Sequence, residues 1–191
     1  MATPIGHALA GYAVYGLAGR KEDRERLGLV LVCVTMAIAP DLDFVPGLLL
    51  GRPALFHQGI THSIGFALVV SLVAAAVYRL MRGKGFIGIC FLGFLSYMSH
   101  LVIDYFGPDT RMPYGIPLLW PISGEYFISP VQVFLGTQHA ESTSATTGAW
   151  IRGMLHPHNV SAIAWEIVLI APLILVGRWY RKRTSRRSAA C

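Results

Sequence analysis

FIGICFLGFLSYMSHLVIDYF, residues 86–106, decides the architecture of this chain. The stretch before His100 carries no charge, and the whole reaches the roughly 20 apolar residues that a membrane-spanning helix needs. Its last turns place His100 and Asp104 four residues apart, hence on one face of that helix. Arg82 and Lys84 stand just before it. A basic flank, an apolar run and a polar pair at the far end read as a transmembrane helix that carries chemistry near one interface.

Working outward, the composition agrees. The 191 residues are 54% hydrophobic and 14% charged, with a mean hydropathy of +0.53. An ordinary soluble domain has about 25% charged residues, so a disordered chain is excluded and too little polar surface remains to coat a soluble globule. Four further apolar segments run from Thr3 to Gly19, Leu27 to Ala39, Ile60 to Met81 and Val160 to Tyr180. The first two are short, Gly-rich or closed by Pro40, and read as a tilted or incomplete hairpin. The expectation is one all-α, polytopic helical membrane domain over residues 1–191, with about five apolar helices around a metal site near one face. Residues 107–159 form its large outer loop, in which 136–148 read as mobile, and 181–191 form a basic tail.

Net charge is +6, but the basic residues are clustered. Arg20, Lys21, Arg24 and Arg26 form one group, Arg79, Arg82 and Lys84 a second, and Arg178 to Arg187 a third. Each abuts an apolar segment, which is the pattern of cytoplasmic loops and not of a nucleic-acid surface. All three fall on one side if the N-terminus is extracytoplasmic and the C-terminus cytoplasmic, as a multi-pass protein of the plasma (inner) membrane. Cys33 and Cys90 lie inside apolar segments and Cys191 ends the chain, so no disulfide is expected. The first segment has no basic region before it and reads as a retained helix, not a signal peptide.

The scarce ionisable residues then fall together. His7, Asp41, His62, His100 and Glu166 stand about 12 to 17 residues from the basic flank of their segments, about 18 to 26 Å up a helix. Asp43, His57 and Asp104 flank the same level. Ionisable groups at that depth are costly to hold and point to function. His100 and Asp104 can bind one cation through nitrogen and oxygen. Asp41 and Asp43 follow Pro40 in APDLDFVP, where an extended or turn backbone sends alternate residues to opposite sides, one to ligate and one to bridge or orient a histidine. In HQGITHS, His57 and His62 bracket a glycine turn, Thr61 reads as an N-cap and Ser63 as a partner supporting a ligand.

Plainer readings compete: a lone buried histidine is more often hydrogen-bonded structure, and PDLD can be a helix stop. Glu166 can instead pair with an arginine or serve as a supporting buried acid. His139, His156 and His158 lie in the polar loop, where roles other than ligation are expected, and Glu125 and Glu141 have no evident partner. Jointly the motifs favour a metal.

GHALAG (6–11), APDLD (39–43), HQGITHS (57–63), SHLVID (99–104) and GIPLLWP (115–121), in that order, resemble the bacterial and archaeal membrane-bound metal-dependent hydrolases, the LexA-regulated or YdjM-like family. The resemblance covers about the first two thirds of the chain. It implies metal and catalytic positions at His7, Asp41, Asp43, His57, His62, His100 and Asp104, with Glu166 a less direct transfer. Gln58 stands where the family often has Arg, Phe44 where a His can follow the second Asp, and Thr110 to Tyr114 lengthen the outer loop. The ordered His and Asp pattern is also similar, more distantly, to the helical zinc-dependent phospholipase C and P1-nuclease group.

A mixed nitrogen and oxygen donor set suits Zn2+, with Mn2+ or Fe2+ as alternatives, as one ion or two. The expected chemistry is hydrolysis by metal-activated water, with Asp41, Asp43 and His57 in catalytic roles. Trp120, Tyr126, Phe127 and Trp165 suit the headgroup region as an interfacial belt, so the expected partners are membrane lipids and the expected substrate a phospholipid or lipid-linked phosphate. Two other readings stay open from the sequence. A divalent-cation or proton transporter would carry polar groups on toward the cytoplasmic half, and a non-catalytic scaffold would use the metal only to tie helices together.

Overall fold

The computed structural model describes residues 1–18, 23–83, 85–139 and 145–188. Gly19, Arg20, Lys21, Lys84, Glu141 and Cys191, named above from the sequence, lie outside that set. The regular elements among the described residues are all helices, apart from one isolated antiparallel bridge between Ile116 and Phe127 in the long loop after Tyr105. Helices α1 (Pro4–Ala18), α2 (Asp23–Ile38), α4 (Ile64–Arg82), α5 (Phe86–Tyr105) and α7 (His158–Ser188) build the bundle, with the short α3 (Phe44–Leu49) and α6 (Thr147–Met154) on it. Four stretches are long and apolar enough to cross a membrane: Leu27–Leu49, Ile64–Arg82, Phe86–Tyr105 and His158–Arg181.

Two boundaries differ from the sequence reading. The second segment does not stop at Pro40. It continues as a 3-10 turn, Ala39–Asp43, and then as α3, making a 23-residue candidate span. Proline is tolerated there because it occupies the first turn of the new helical stretch, where its missing N–H costs nothing. The cap of α4 is Ser63, not Thr61: its hydroxyl accepts from the Phe66 amide at 3.2 Å. At the other end of α4, Gly83 adopts φ +72°, and its amide closes on the Arg79 carbonyl at 2.7 Å.

Close helix approaches depend on small residues. A Cβ on Gly11 of α1 would lie 2.5 Å from the Cys33 carbonyl oxygen of α2, and one on Gly177 of α7 would lie 2.7 Å from the Gly16 backbone. Gly6 meets Glu166 and Gly16 meets Gly177, so α1 and α7 run parallel. The apolar layer of Met36, Ala67, Tyr97, Leu101 and Ile116 joins α2, α4, α5 and the outer loop.

Arg79 and Arg82 end α4, and Arg181 lies over the Tyr15 ring near the end of α1, so these three arginines gather at one end of the bundle. The loop after α5 folds over the opposite end. Its Leu118 and Trp120 carbonyls accept from the Ile64 and Gly65 amides, which start α4 and need acceptors. The described part of 136–148 is tied down as well. Gln138 exchanges backbone hydrogen bonds of 2.6 and 3.0 Å with the Asn159 side chain, and α6 occupies the end of the stretch.

Candidate metal centre

The loop-covered end collects the ionisable residues picked out above. His7 comes from the first turn of α1, Asp41 and Asp43 from the 3-10 turn, His57 and His62 from the connection to α4, and His100 and Asp104 from the last turns of α5. His7, His62 and His100 have no solvent exposure. A 3-10 helix turns once in three residues, so Asp41 and Asp43 point about 120° apart. That angle divides the site into two groups of donor atoms, each lying within 4.8 Å of one another: Asp41, His62, His100 and Asp104, and Asp43, His57 and His62.

Hydrogen bonds assign the tautomers. His100 Nδ1 lies 2.8 Å from the Ala37 carbonyl, which can only accept, so Nδ1 carries the proton and Nε2 keeps a lone pair in the neutral ring. His62 Nδ1 faces Thr61 Oγ1 at 3.0 Å and Asp43 Oδ2 at 3.3 Å, which places its lone pair on Nε2 too. The two Nε2 atoms approach to 3.2 Å. Asp104 Oδ2 is 3.1 Å from His100 Nε2 and 3.5 Å from His62 Nε2, and Asp41 Oδ1 is 3.6 and 3.8 Å from the same atoms. Four electron-pair donors thus face one another in a buried space. Asp41 Oδ1 and Asp104 Oδ2 have no hydrogen-bond donor. Such a set is satisfied by a cation, and these buried His and Asp groups can hold a metal ion. Without one, a proton takes that role: burial opposes charge on His62, but Asp41, Asp43 and Asp104 outweigh it and push its pKa up to about 10.

The second group is built differently. Asp43 already accepts from His57 Nδ1 at 2.8 Å, Thr61 Oγ1 at 2.8 Å and the Gln58 amide at 3.1 Å, besides facing His62. Its oxygens are engaged in orienting neighbours, as carboxylates behind metal-binding histidines do. Gln58 adopts φ +60°, unusual for a residue with a side chain, and its amide bond to Asp43 holds it there. The expected glycine turn therefore bends at Gln58, not at Gly59. His57 stacks on Phe44 with centroids 3.8 Å apart and turns Nε2 to the Met1 sulfur at 2.8 Å. His7 stacks on His100 at 3.7 Å and reaches Asp104 Oδ1 at 3.5 Å, beside the two metal-compatible groups. Glu166 stands apart: both of its oxygens are taken by the amide and hydroxyl of Thr3, just before α1.

Three supporting residues were not legible as such. Thr61 links Asp43 to His62, and the Tyr97 hydroxyl fixes Thr61 by donating to its carbonyl at 2.6 Å. Arg111, in the lengthened outer loop, donates to the Ala54 and His57 carbonyls and meets Gln58 Oε1 at 3.4 Å, clamping the HQG turn. Only the position of Thr61, next to His62, was a signal. His158 donates to or accepts nothing from the cluster, its Nε2 lying 3.1 Å from the Gly136 carbonyl.

The profile described as YdjM inner membrane protein matches residues 1–185. The chain belongs to the YdjM inner membrane protein family. It is similar to the Inner membrane protein YbcI of Escherichia coli (strain K12), being 30% identical over 187 residues that cover 96% of this chain and 100% of that protein. No solved structure matches. Membership in the YdjM family together with several apolar helices places the chain in the inner membrane as a multi-pass protein. The family description names a location and no reaction.

Proposed function

We propose that this YdjM-family chain is a membrane-bound metal-dependent hydrolase that cleaves a phosphate ester such as a phospholipid or lipid-linked phosphate. The observation that carries the reading is the convergence of Asp41, His62, His100 and Asp104, with two carboxylate oxygens that no donor satisfies. Beside it lies a cavity of about 160 Å³ lined by Asp41, Phe44, Thr137, His139 and Trp150, room for a ligand next to the metal-compatible group.

Asp41, His62, His100 and Asp104 would hold the ion, with Zn2+ best suited to the donors and Mn2+ or Fe2+ as alternatives. The chemistry such an ion supplies when bound is acidification of water and polarisation of a phosphoryl oxygen. Asp43 orients His62 through Nδ1 and keeps its Nε2 lone pair on the cluster. His57, held at Nδ1 by Asp43, would move a proton at Nε2 once the Met1 sulfur that faces this atom is displaced. Ala37, Thr61 and Tyr97 fix the rings that must not rotate.

Transport is the weaker reading for a specific reason. Among the described residues, the buried polar groups on the basic side of Tyr97 are Ser71 and Ser96, with no buried acid or histidine to continue a path. The basic groups at the far end support an extracytoplasmic cluster and a cytoplasmic C-terminal end.

The test is elemental analysis and ester hydrolysis on detergent-purified, tag-free protein, with His62→Ala and His100→Ala beside the wild type. We expect near-stoichiometric Zn2+, Mn2+ or Fe2+ in the wild type, lost in both variants, and chelator-sensitive cleavage within a panel of phospholipids and lipid phosphates. Folded wild type that binds no metal would overturn the reading. Metal-replete protein inert toward the whole panel would reduce the metal to a structural tie.

A further inference from the structure

A second hollow, a groove of about 680 Å³, approaches the cluster from another side. Leu42 and Pro46 form one wall, Phe66 and Val70 the other, and Tyr97 contributes to its floor. These residues belong to the candidate spans Leu27–Leu49, Ile64–Arg82 and Phe86–Tyr105. The medium outside such a groove is bilayer hydrocarbon, and the rim is open to it: Leu42 is 60% exposed and Ile60 48%. The lining is apolar except where Asp43 and Thr61 stand. There the Thr61 hydroxyl donates to Asp43, the acid that orients both His57 and His62.

The groove is therefore hydrophobic along its length and meets the cluster's supporting network where it turns polar. The smaller cavity reaches Asp41 past Thr137, His139 and Trp150 of the outer loop region. One site served by an apolar groove and a separate loop-lined cavity suits an amphiphile. We infer that the groove seats one acyl chain of a bilayer phospholipid, with the head of that lipid at the polar end of the groove. As a statement about substrate, this rests on the hydrolase reading above; as a statement about binding, it does not.

The experiment separates the two. Wild-type protein is reconstituted in bilayers containing a phospholipid with a photoreactive diazirine midway along one acyl chain, and crosslinks are mapped. The variants are Val70→Trp and Ala39→Phe, which fill the groove from opposite walls, and Leu80→Trp, an 86% exposed site elsewhere on α4. Metal content and thermal unfolding check that each variant folds. We expect crosslinks concentrated on the stretches containing Leu42 and Val70. They fall to the level of the rest of the perimeter in both groove variants and persist in Leu80→Trp. Uniform labelling around the bundle, or labelling indifferent to filling, overturns the seat.

Where the wild type hydrolyses phospholipid, the groove variants should raise KM for long-chain substrate about tenfold while leaving cleavage of a water-soluble short-chain analogue unchanged. Equal effects on both substrates also overturn the seat. A wild type that is labelled in the groove but cleaves no ester overturns the hydrolase reading and leaves the acyl-chain site standing.

Discussion

Replacing Asp41 and Asp43 separately should give opposite signatures, although the two acids are neighbours in one motif. Asp43→Ala removes the acceptor for His57 Nδ1, Thr61 Oγ1 and the Gln58 amide and the partner facing His62 Nδ1. A buried donor left without an acceptor costs about 1–3 kcal/mol. Water admitted to the gap satisfies some of the four, and Thr61 still faces His62, so the loss should resemble a broken buried ion pair, about 3–5 kcal/mol. Metal affinity should fall only about 10–100-fold, because an orienting group is lost and the ligands remain. Asp41→Ala does the reverse. Asp41 Oδ1 receives no hydrogen bond and shares the charge of metal-free His62 with Asp43 and Asp104, so the metal-free protein should lose less stability than with Asp43→Ala while metal binding collapses. Chelator competition gives the affinities, and thermal unfolding of chelated protein in the same detergent gives the stabilities. The reasoning is refuted by an Asp43→Ala protein that loses its metal entirely and melts like the wild type, or by an Asp41→Ala protein that retains it.

Three further outcomes follow from the same geometry. With its pKa pushed up to about 10, metal-free His62 is protonated throughout the neutral range, and a metal must displace that proton. Apparent metal affinity should weaken about tenfold for each unit of pH decrease, about a hundredfold from pH 8 to pH 6, and a flat profile in a chelator-competition titration would remove His62 from the ligands. Glu166→Gln should keep full metal content on elemental analysis while lowering stability by about 1–3 kcal/mol, since both Glu166 oxygens serve Thr3; loss of metal would instead make Glu166 a ligand. In a background with Cys33, Cys90 and Cys191 replaced, Glu125→Cys should react with a membrane-impermeant maleimide in intact cells, and Arg183→Cys only after permeabilisation. Labelling of both from outside would refute the one-sided arrangement.

Much of the architecture was legible because membranes impose one-dimensional rules. Apolar length marks α4, α5 and α7, and the basic clusters mark one end of each. The metal-compatible residues were legible for the same reason, since an acid or histidine at a fixed distance from a basic flank is visible without coordinates. The second span was underestimated because Pro40 usually ends a helix, whereas here it begins a 3-10 turn that α3 prolongs. Thr61 and Ser63 exchanged their expected roles because both can cap a helix. Only the positions of Asp43 and His62 draw the Thr61 hydroxyl away from the backbone.

By itself, then, the sequence determined a helical bundle of the membrane with its scarce polar residues at one end, and it named those residues. The tertiary structure decided which atoms they turn toward one another. His62 presents Nε2 to the cluster because Asp43 and Thr61 occupy Nδ1, and His100 does so because a carbonyl 63 residues away, Ala37, accepts the hydrogen bond of its Nδ1–H. Asp41 and Asp43 part company because a 3-10 turn rotates them apart, and Glu166 leaves the group because Thr3 reaches it first. Spacing along a chain sets which residues share a depth. Ring orientation and hydrogen-bond partnership are set by contacts between distant segments, which only packing brings within reach.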